Sequence, residues 1–152
     1  MSRSPDVDGP AAASAELPDL LLRLAGQVRG LITKAAQLHG LPGSQAKALI
    51  HLREPVAMRG LANLLDCDPS HVSNVIDGLE RRGLVLRRPD PADRRHRLLV
   101  LTEEGALLRD QLRARVAEHM PGLNSLSPEE SALLRRALRR AVGAASHDLP
   151  AA

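Results

Sequence analysis

The sequence predicts a mainly α protein with a small β-hairpin, and three observations carry that prediction. Apolar residues recur at helical spacing over most of the chain, beginning with Leu17, Leu20, Leu21, Leu24, Val28, Leu31 and Ile32. Two short helical patterns are separated only by Asp66-Cys67-Asp68-Pro69, which ends one helix and starts the next. Two runs of strand-forming residues, Leu84 to Arg88 and Leu98 to Leu101, flank about nine mostly polar residues, two of them prolines.

Taken in order, the first dozen residues are rich in Ser, Asp, Pro and Ala, and 1–13 is expected to be a disordered arm. From 14 to 40 the apolar stripe continues through Ala35 and Leu38 and stops at Gly40, which gives one long helix. Pro42 opens a shorter helix through Gln45, Leu49 and Leu52. It must end near Glu54, because a residue before proline avoids helical geometry. Val56 to Met58 is no more than a strand stub, and a third helix from about Arg59 to Leu65 is expected to bury Leu61, Ala62, Leu64 and Leu65. Asp68 can accept from free amides of the fourth helix, and Pro69 suits a first helical position that needs no amide donor. That helix turns Val72, Val75, Ile76 and Leu79 inward and stops at Gly83, a residue suited to a left-handed cap.

After the hairpin, Thr102 caps a helix with Glu103 and Glu104 in its first turn and an apolar stripe of Leu107, Leu108, Leu112 and Val116. Ser127-Pro128-Glu129-Glu130 reads as a capping box that opens a last helix with Leu133, Leu134, Leu138 and Val142 on one face. Residues 147–152 read as a flexible tail.

At 152 residues the chain has the size of one ordinary domain. Hydrophobic residues make up 43%, yet Phe, Trp and Tyr are absent, so the core must be built from Leu, Val, Ile, Ala and Met. Single-stranded nucleic acid recognition depends on aromatic stacking platforms and is therefore disfavoured. Charge is unevenly spread. From Arg81 to Arg97 seven arginines stand against two aspartates, a local +5 inside a chain of net +3, which leaves −2 for the rest. A basic block on a mildly acidic body is the footprint of a surface meant for phosphate. A lone cysteine, Cys67, forms no intrachain disulfide, and neither a signal peptide nor a spanning apolar run is evident, so a cytoplasmic setting is expected.

Two helices joined by a tight turn and followed by a hairpin with a basic loop follow the order of a winged helix-turn-helix, here residues 41–102. In that arrangement the second helix of the pair fits the major groove of B-form DNA and the wing reaches the backbone or the minor groove. The stretch from Leu41 to Leu112 also resembles the MarR (multiple antibiotic resistance regulator) family. The resemblance rests on Leu61-Ala62, the Asp68-Pro69-Ser70 restart, the L-E-x-x-G-L-V run, the wing pair Asp93 and Arg95, and the L-T-x-x-G start of the next helix. It implies that the helix of 14–40 and those of 103–146 are N- and C-terminal dimerisation helices, and that a two-fold dimer reads a pseudo-palindrome with half-sites one DNA turn apart.

On the fourth helix Ser70, His71, Ser73, Asn74, Asp77 and Arg81 lie away from the apolar stripe and are the expected DNA-facing set. Asn74 is the candidate base reader, since an amide can bond adenine bidentately, and His71 is a phosphate or base neighbour. In the wing the resemblance puts Arg95 in the minor groove with Asp93 holding its guanidinium. Arg87, Arg88, Arg94 and Arg97 are candidate phosphate contacts. Arg81 and Arg82 can equally complement the dipole at the end of their helix.

Cys67 reads as a core thiol. The six histidines offer no pair at i, i+3 or i+4, so no metal site is expected. No nucleophile elbow, glycine-rich phosphate loop or carboxylate pair in a cleft is evident, so neither catalysis nor a cofactor is expected. The expected function is a homodimeric, sequence-specific regulator of transcription, a repressor, that binds double-stranded DNA and responds to a small-molecule effector whose pocket is unknown. The alternatives are a nonspecific DNA binder and a protein-interaction module, which differ from it in specificity for duplex sequence.

Overall fold

The computed structural model describes residues 10–144. The expected arm up to residue 9 and the tail from 147, with His147, lie outside the described residues. The chain forms two compact units, one up to Val116 and one from Ala117.

In the first unit, helix α1 (Pro10–Gln37) begins earlier than expected, so residues 10–13 are helical and not part of an arm. Proline at the first helical position lacks only an amide that would go unpaired anyway, and Ala11, Ala12 and Ala13 are strong helix formers. Gly40 then turns the chain at φ +60°. Helices α2 (Gly43–His51), α3 (Met58–Leu65) and α4 (Pro69–Arg81) pack on one another, with α1 against α2. Strand β1 (Val56–Ala57) is the stub before α3, and it does more than the sequence suggests. It pairs antiparallel with β3 (Arg97–Leu101), whose other edge carries β2 (Val85–Pro89), so the hairpin is part of a three-stranded sheet of order β1-β3-β2.

The core is entirely aliphatic, as the composition requires. Leu49, Leu52, Leu61, Ile76, Leu79, Leu99 and Leu112 are fully buried, and the buried apolar set runs from Ala35 to Leu112. Leu64 departs from expectation. It is 54% exposed, because α3 is short and offers the core only the face of Leu61, Ala62 and Leu65. Helix α5 (Glu103–Glu118) enters this core through Leu112, and its first turn presses so closely on Leu84, just before β2, that a Cβ at Gly105 would collide with the Leu84 carbonyl oxygen.

Three long basic side chains close helix ends contributed by other elements. Lys47 donates to the Leu65 carbonyl that ends α3 (2.9 Å), and Arg82 donates to the Gly40 and His39 carbonyls after α1 (2.8 and 3.0 Å). Arg109 donates to the Leu52 carbonyl after α2 (3.3 Å). Each places a cation where unpaired carbonyls and the helix dipole favour one. Arg82 therefore complements the end of α1 and not that of its own helix.

In the second unit a single turn, α6 (Pro121–Asn124), precedes α7 (Pro128–Ala144). The expected capping box is formed: the Ser127 amide donates to the Glu130 carboxylate (2.8 Å), and the Glu130 amide donates to the Ser127 hydroxyl (3.2 Å). No helix among the described residues is long and apolar enough to cross a membrane.

Candidate nucleic-acid interface

Helix α4 is set by its ends. The Asp68 carboxylate accepts from the Ser70 amide (2.8 Å) and the Ser70 hydroxyl (2.6 Å), and these bonds hold its pKa below the usual aspartate value. The preceding turn is made by Asp66 in the left-handed region (φ 51°), where α3 ends. Val72, Val75, Ile76 and Leu79 are buried, and Gly78 meets Gln45 of α2 so closely that a Cβ there would strike its side-chain amide. This packing fixes the rotation of the helix. Ser70, His71, Asn74 and Arg81 point to solvent, with Ser73 and Asp77 half-buried.

The base of the wing is stitched to α5 by two of the motifs that carry the family resemblance. Gly83 turns the chain at φ +70°. The Thr102 hydroxyl donates to the Gly83 carbonyl (2.8 Å) and accepts from the Gly105 amide (2.9 Å), while the Thr102 amide donates to the Leu84 carbonyl (3.1 Å). At the tip, residues 90–96 fold on two aspartates. Asp90 accepts from the Ala92 amide (2.8 Å), Asp93 accepts from the Arg95 amide (3.0 Å), and the Asp90 amide donates to the His96 carbonyl (3.0 Å).

Two expectations about side-chain partners are corrected here. Asp93 does not hold the Arg95 guanidinium. One carboxylate oxygen is used by the Arg95 backbone amide, and the other lies 3.7 Å from the His96 ring, because an aspartate that closes a turn on the second amide ahead points its carboxylate inward. Arg87 is not a free cation for phosphate. Its guanidinium is engaged by Asp77 (2.7 Å) and by Glu80, so that Arg87 and Asp77 brace the wing against α4. Glu80 is the member of this brace that the sequence pattern does not single out. Its spacing of three residues from Asp77, on the helix face next to β2, is the signal that points to it.

Arg88, Arg94, Arg95 and Arg97 are exposed, and none has a carboxylate partner among the described residues. The result is an exposed polar helix face beside four unpaired arginines on an ordered hairpin. Cys67 is half-buried, with its thiol donating to the Leu65 carbonyl (3.3 Å). The first unit also holds a cavity of about 330 Å³ between the end of α1, Arg82 and the start of α5, lined by His39, Leu84, Glu104, Leu108 and Gln111 among others.

The MarR family model matches residues 48–96, from α2 to the wing tip. The solved structure of CouR from Rhodococcus jostii RHA1, bound to p-coumaroyl-CoA, is 37% identical, with 83% of this chain and 91% of that one covered at a TM-score of 0.68. A transcriptional regulator (MarR family) from Rhodococcus sp. RHA1 is 35% identical over 83% of this chain and 93% of its own, with a TM-score of 0.67. The chain belongs to the MarR family. The reduced form of MarR from E. coli, at 25% identity, covers 82% of this chain and 95% of its own with a TM-score of 0.65. No curated protein matches the chain. As a MarR-family protein it is a DNA-binding transcription regulator with a winged helix-turn-helix fold.

Proposed function

We propose that this MarR-family regulator works in the cytoplasm as a homodimer that represses transcription by occupying a pseudo-palindromic operator and is released by a small-molecule effector. Ser70, His71, Ser73, Asn74 and Arg81 meet the major groove, with Asn74 as base reader. Arg95 enters the minor groove, and Arg88, Arg94 and Arg97 hold phosphates. Arg87, Asp77 and Glu80 keep helix and wing at a fixed spacing, so that both reach the duplex together.

The observation that carries this reading is the pairing of an exposed polar α4 face with four unpartnered arginines on a wing whose backbone is ordered by Asp90 and Asp93. A second copy is supported by leucines left in solvent on α1 and α7, among them Leu17, Leu21, Leu22 and Leu133. An effector is supported by the cavity beside Arg82 and by the thioester bound to CouR, which makes a CoA-linked acid the first class to test. A ligand that competes for Arg82 loosens its hold on the end of α1 and so shifts the start of the wing, three residues further on.

The test is selection of bound duplexes from a random pool at physiological salt, followed by sequencing. An enriched palindrome with half-sites about 10 to 10.5 base pairs apart is expected. Salt-sensitive binding without enrichment would replace this reading with a nonspecific binder.

A further inference from the structure

Helix α7 carries Arg135, Arg136, Arg139 and Arg140, two adjacent pairs one turn apart. With Ala132 they occupy positions i, i+3, i+4, i+7 and i+8, one continuous stripe of a helix. All four are exposed and line an open groove of about 400 Å³ whose remaining lining residue is Ala132. Gly143 ends the stripe, and a Cβ there would meet nothing. Small residues at both ends thus leave the guanidinium groups unscreened by neighbouring side chains.

This arrangement is costly within the helix itself. Arg135 with Arg139, Arg136 with Arg140 and Arg136 with Arg139 are like charges at i, i+4 or i, i+3, a spacing at which such pairs destabilise a helix. No acidic residue stands three or four places from any of the four, and none of them has a carboxylate partner among the described residues. By helical rotation the stripe lies opposite half-buried Leu134 and Leu138, and exposed Leu133 and Val142 border it on either side. The exposed wing cations are explained by the winged helix. These four are not.

We infer that the arginine stripe of α7 is a second, sequence-independent contact for the phosphates of duplex DNA, distinct from the winged helix. Each adjacent pair engages one phosphate, since the guanidinium fork matches phosphate oxygens bidentately. The pairs lie about 6 Å apart along the helix axis, a separation of the order of that between successive phosphates on one strand.

Counterion release makes this measurable. Binding of the full chain to a duplex without operator sequence is followed by fluorescence anisotropy across a potassium chloride series. The comparison is with the variant carrying Arg135→Gln, Arg136→Gln, Arg139→Gln and Arg140→Gln, in which glutamine keeps the helix propensity. Removing the two phosphate contacts should flatten the slope of log K against log salt by about 1.8. The quadruple Arg→Lys variant, which keeps the charge, should retain most of the slope, and both variants should keep the sequence preference of the unsubstituted chain. An unchanged slope in the glutamine variant overturns the inference. So does loss of the dimer in that variant by sedimentation, which would assign the arginines to the subunit contact. Tight binding of inorganic tripolyphosphate that the glutamine variant loses, with the duplex slope intact, would assign the groove to a small anion instead.

Discussion

The helix-turn-helix core and the outer helices solve the same problem in opposite ways. Between Ala35 and Leu112 the apolar residues close on one another, with Leu49, Ile76, Leu79 and Leu99 fully out of solvent. On α1 and α7 the same aliphatic alphabet is left uncovered: Leu22 is 66% exposed, Leu133 57% and Val142 73%. Side chains without aromatics bury only modest area each, so a stable core needs many of them packed from several directions. The core receives α1, α2, α3, α4, α5 and the sheet. A lone amphipathic helix has no such company, and its stripe stays in solvent.

The sharpest way to break this comparison is inside the core. Leu79→Ala removes a side chain with no solvent exposure and should lower unfolding stability by about 2–5 kcal/mol in urea titrations. A loss within experimental error would show that the core is not closed within one chain. Leu20→Glu combined with Leu133→Glu makes the opposite test. These positions are exposed, so the fold of the chain should persist by circular dichroism, while the dimer should weaken at least tenfold by sedimentation, since each leucine buried is worth roughly 1.5–3 kcal/mol. An unaltered dimer would place the subunit contact elsewhere.

Smaller effects sharpen the division of labour within the interface. Arg95→Ala should weaken operator binding by about tenfold, a cost within the roughly 1–3 kcal/mol of a groove contact, without changing the melting temperature. Arg87→Ala should show the reverse balance. It loses up to about 1 kcal/mol of stability by removing a partly exposed brace, and it lowers affinity for operator and scrambled DNA alike.

The smallest expected effect is on pH. Burial, Lys47 and Arg53 depress the pKa of His51 below 6.5, so the unfolded chain binds more protons than the folded one just below that value. Its contribution to stability is fully present above pH 6.5 and is lost as pH falls through that point toward the folded value. His51→Gln should flatten this part of the stability curve. The bonds from Ser70 to Asp68 act likewise in a lower window, where stability is present above the ordinary aspartate pKa and falls with acidification below it. Asp68→Asn should remove that acid-side dependence.

Features that involve neighbours in sequence are legible from the residues alone. The Asp68 and Pro69 restart, the Ser127 to Glu130 capping box and the glycine turns at Gly40 and Gly83 each depend on residues within a few positions, and local hydrogen bonding decides them. The exposed face of α4 is legible for the same reason, since buried Val72, Val75, Ile76 and Leu79 dictate which residues remain outside. Leu64 escapes this logic because periodicity assigns an apolar residue to a face without knowing how much core is there to cover it.

By itself, then, the sequence determined the element order, the helix ends, the basic block and the resemblance to MarR-family regulators. Tertiary structure decided what each cation does. Lys47, Arg82 and Arg109 reach carbonyls 18, 42 and 57 residues away, and Arg87 turns inward to Asp77 and Glu80 while Arg95 stays free. An arginine has the same pattern in sequence whether it caps a helix, braces a strand or waits for a phosphate. The physical reason is that its flexible stem lets the charge settle on whichever oxygens the fold brings near, and that is known only once the backbone is in place.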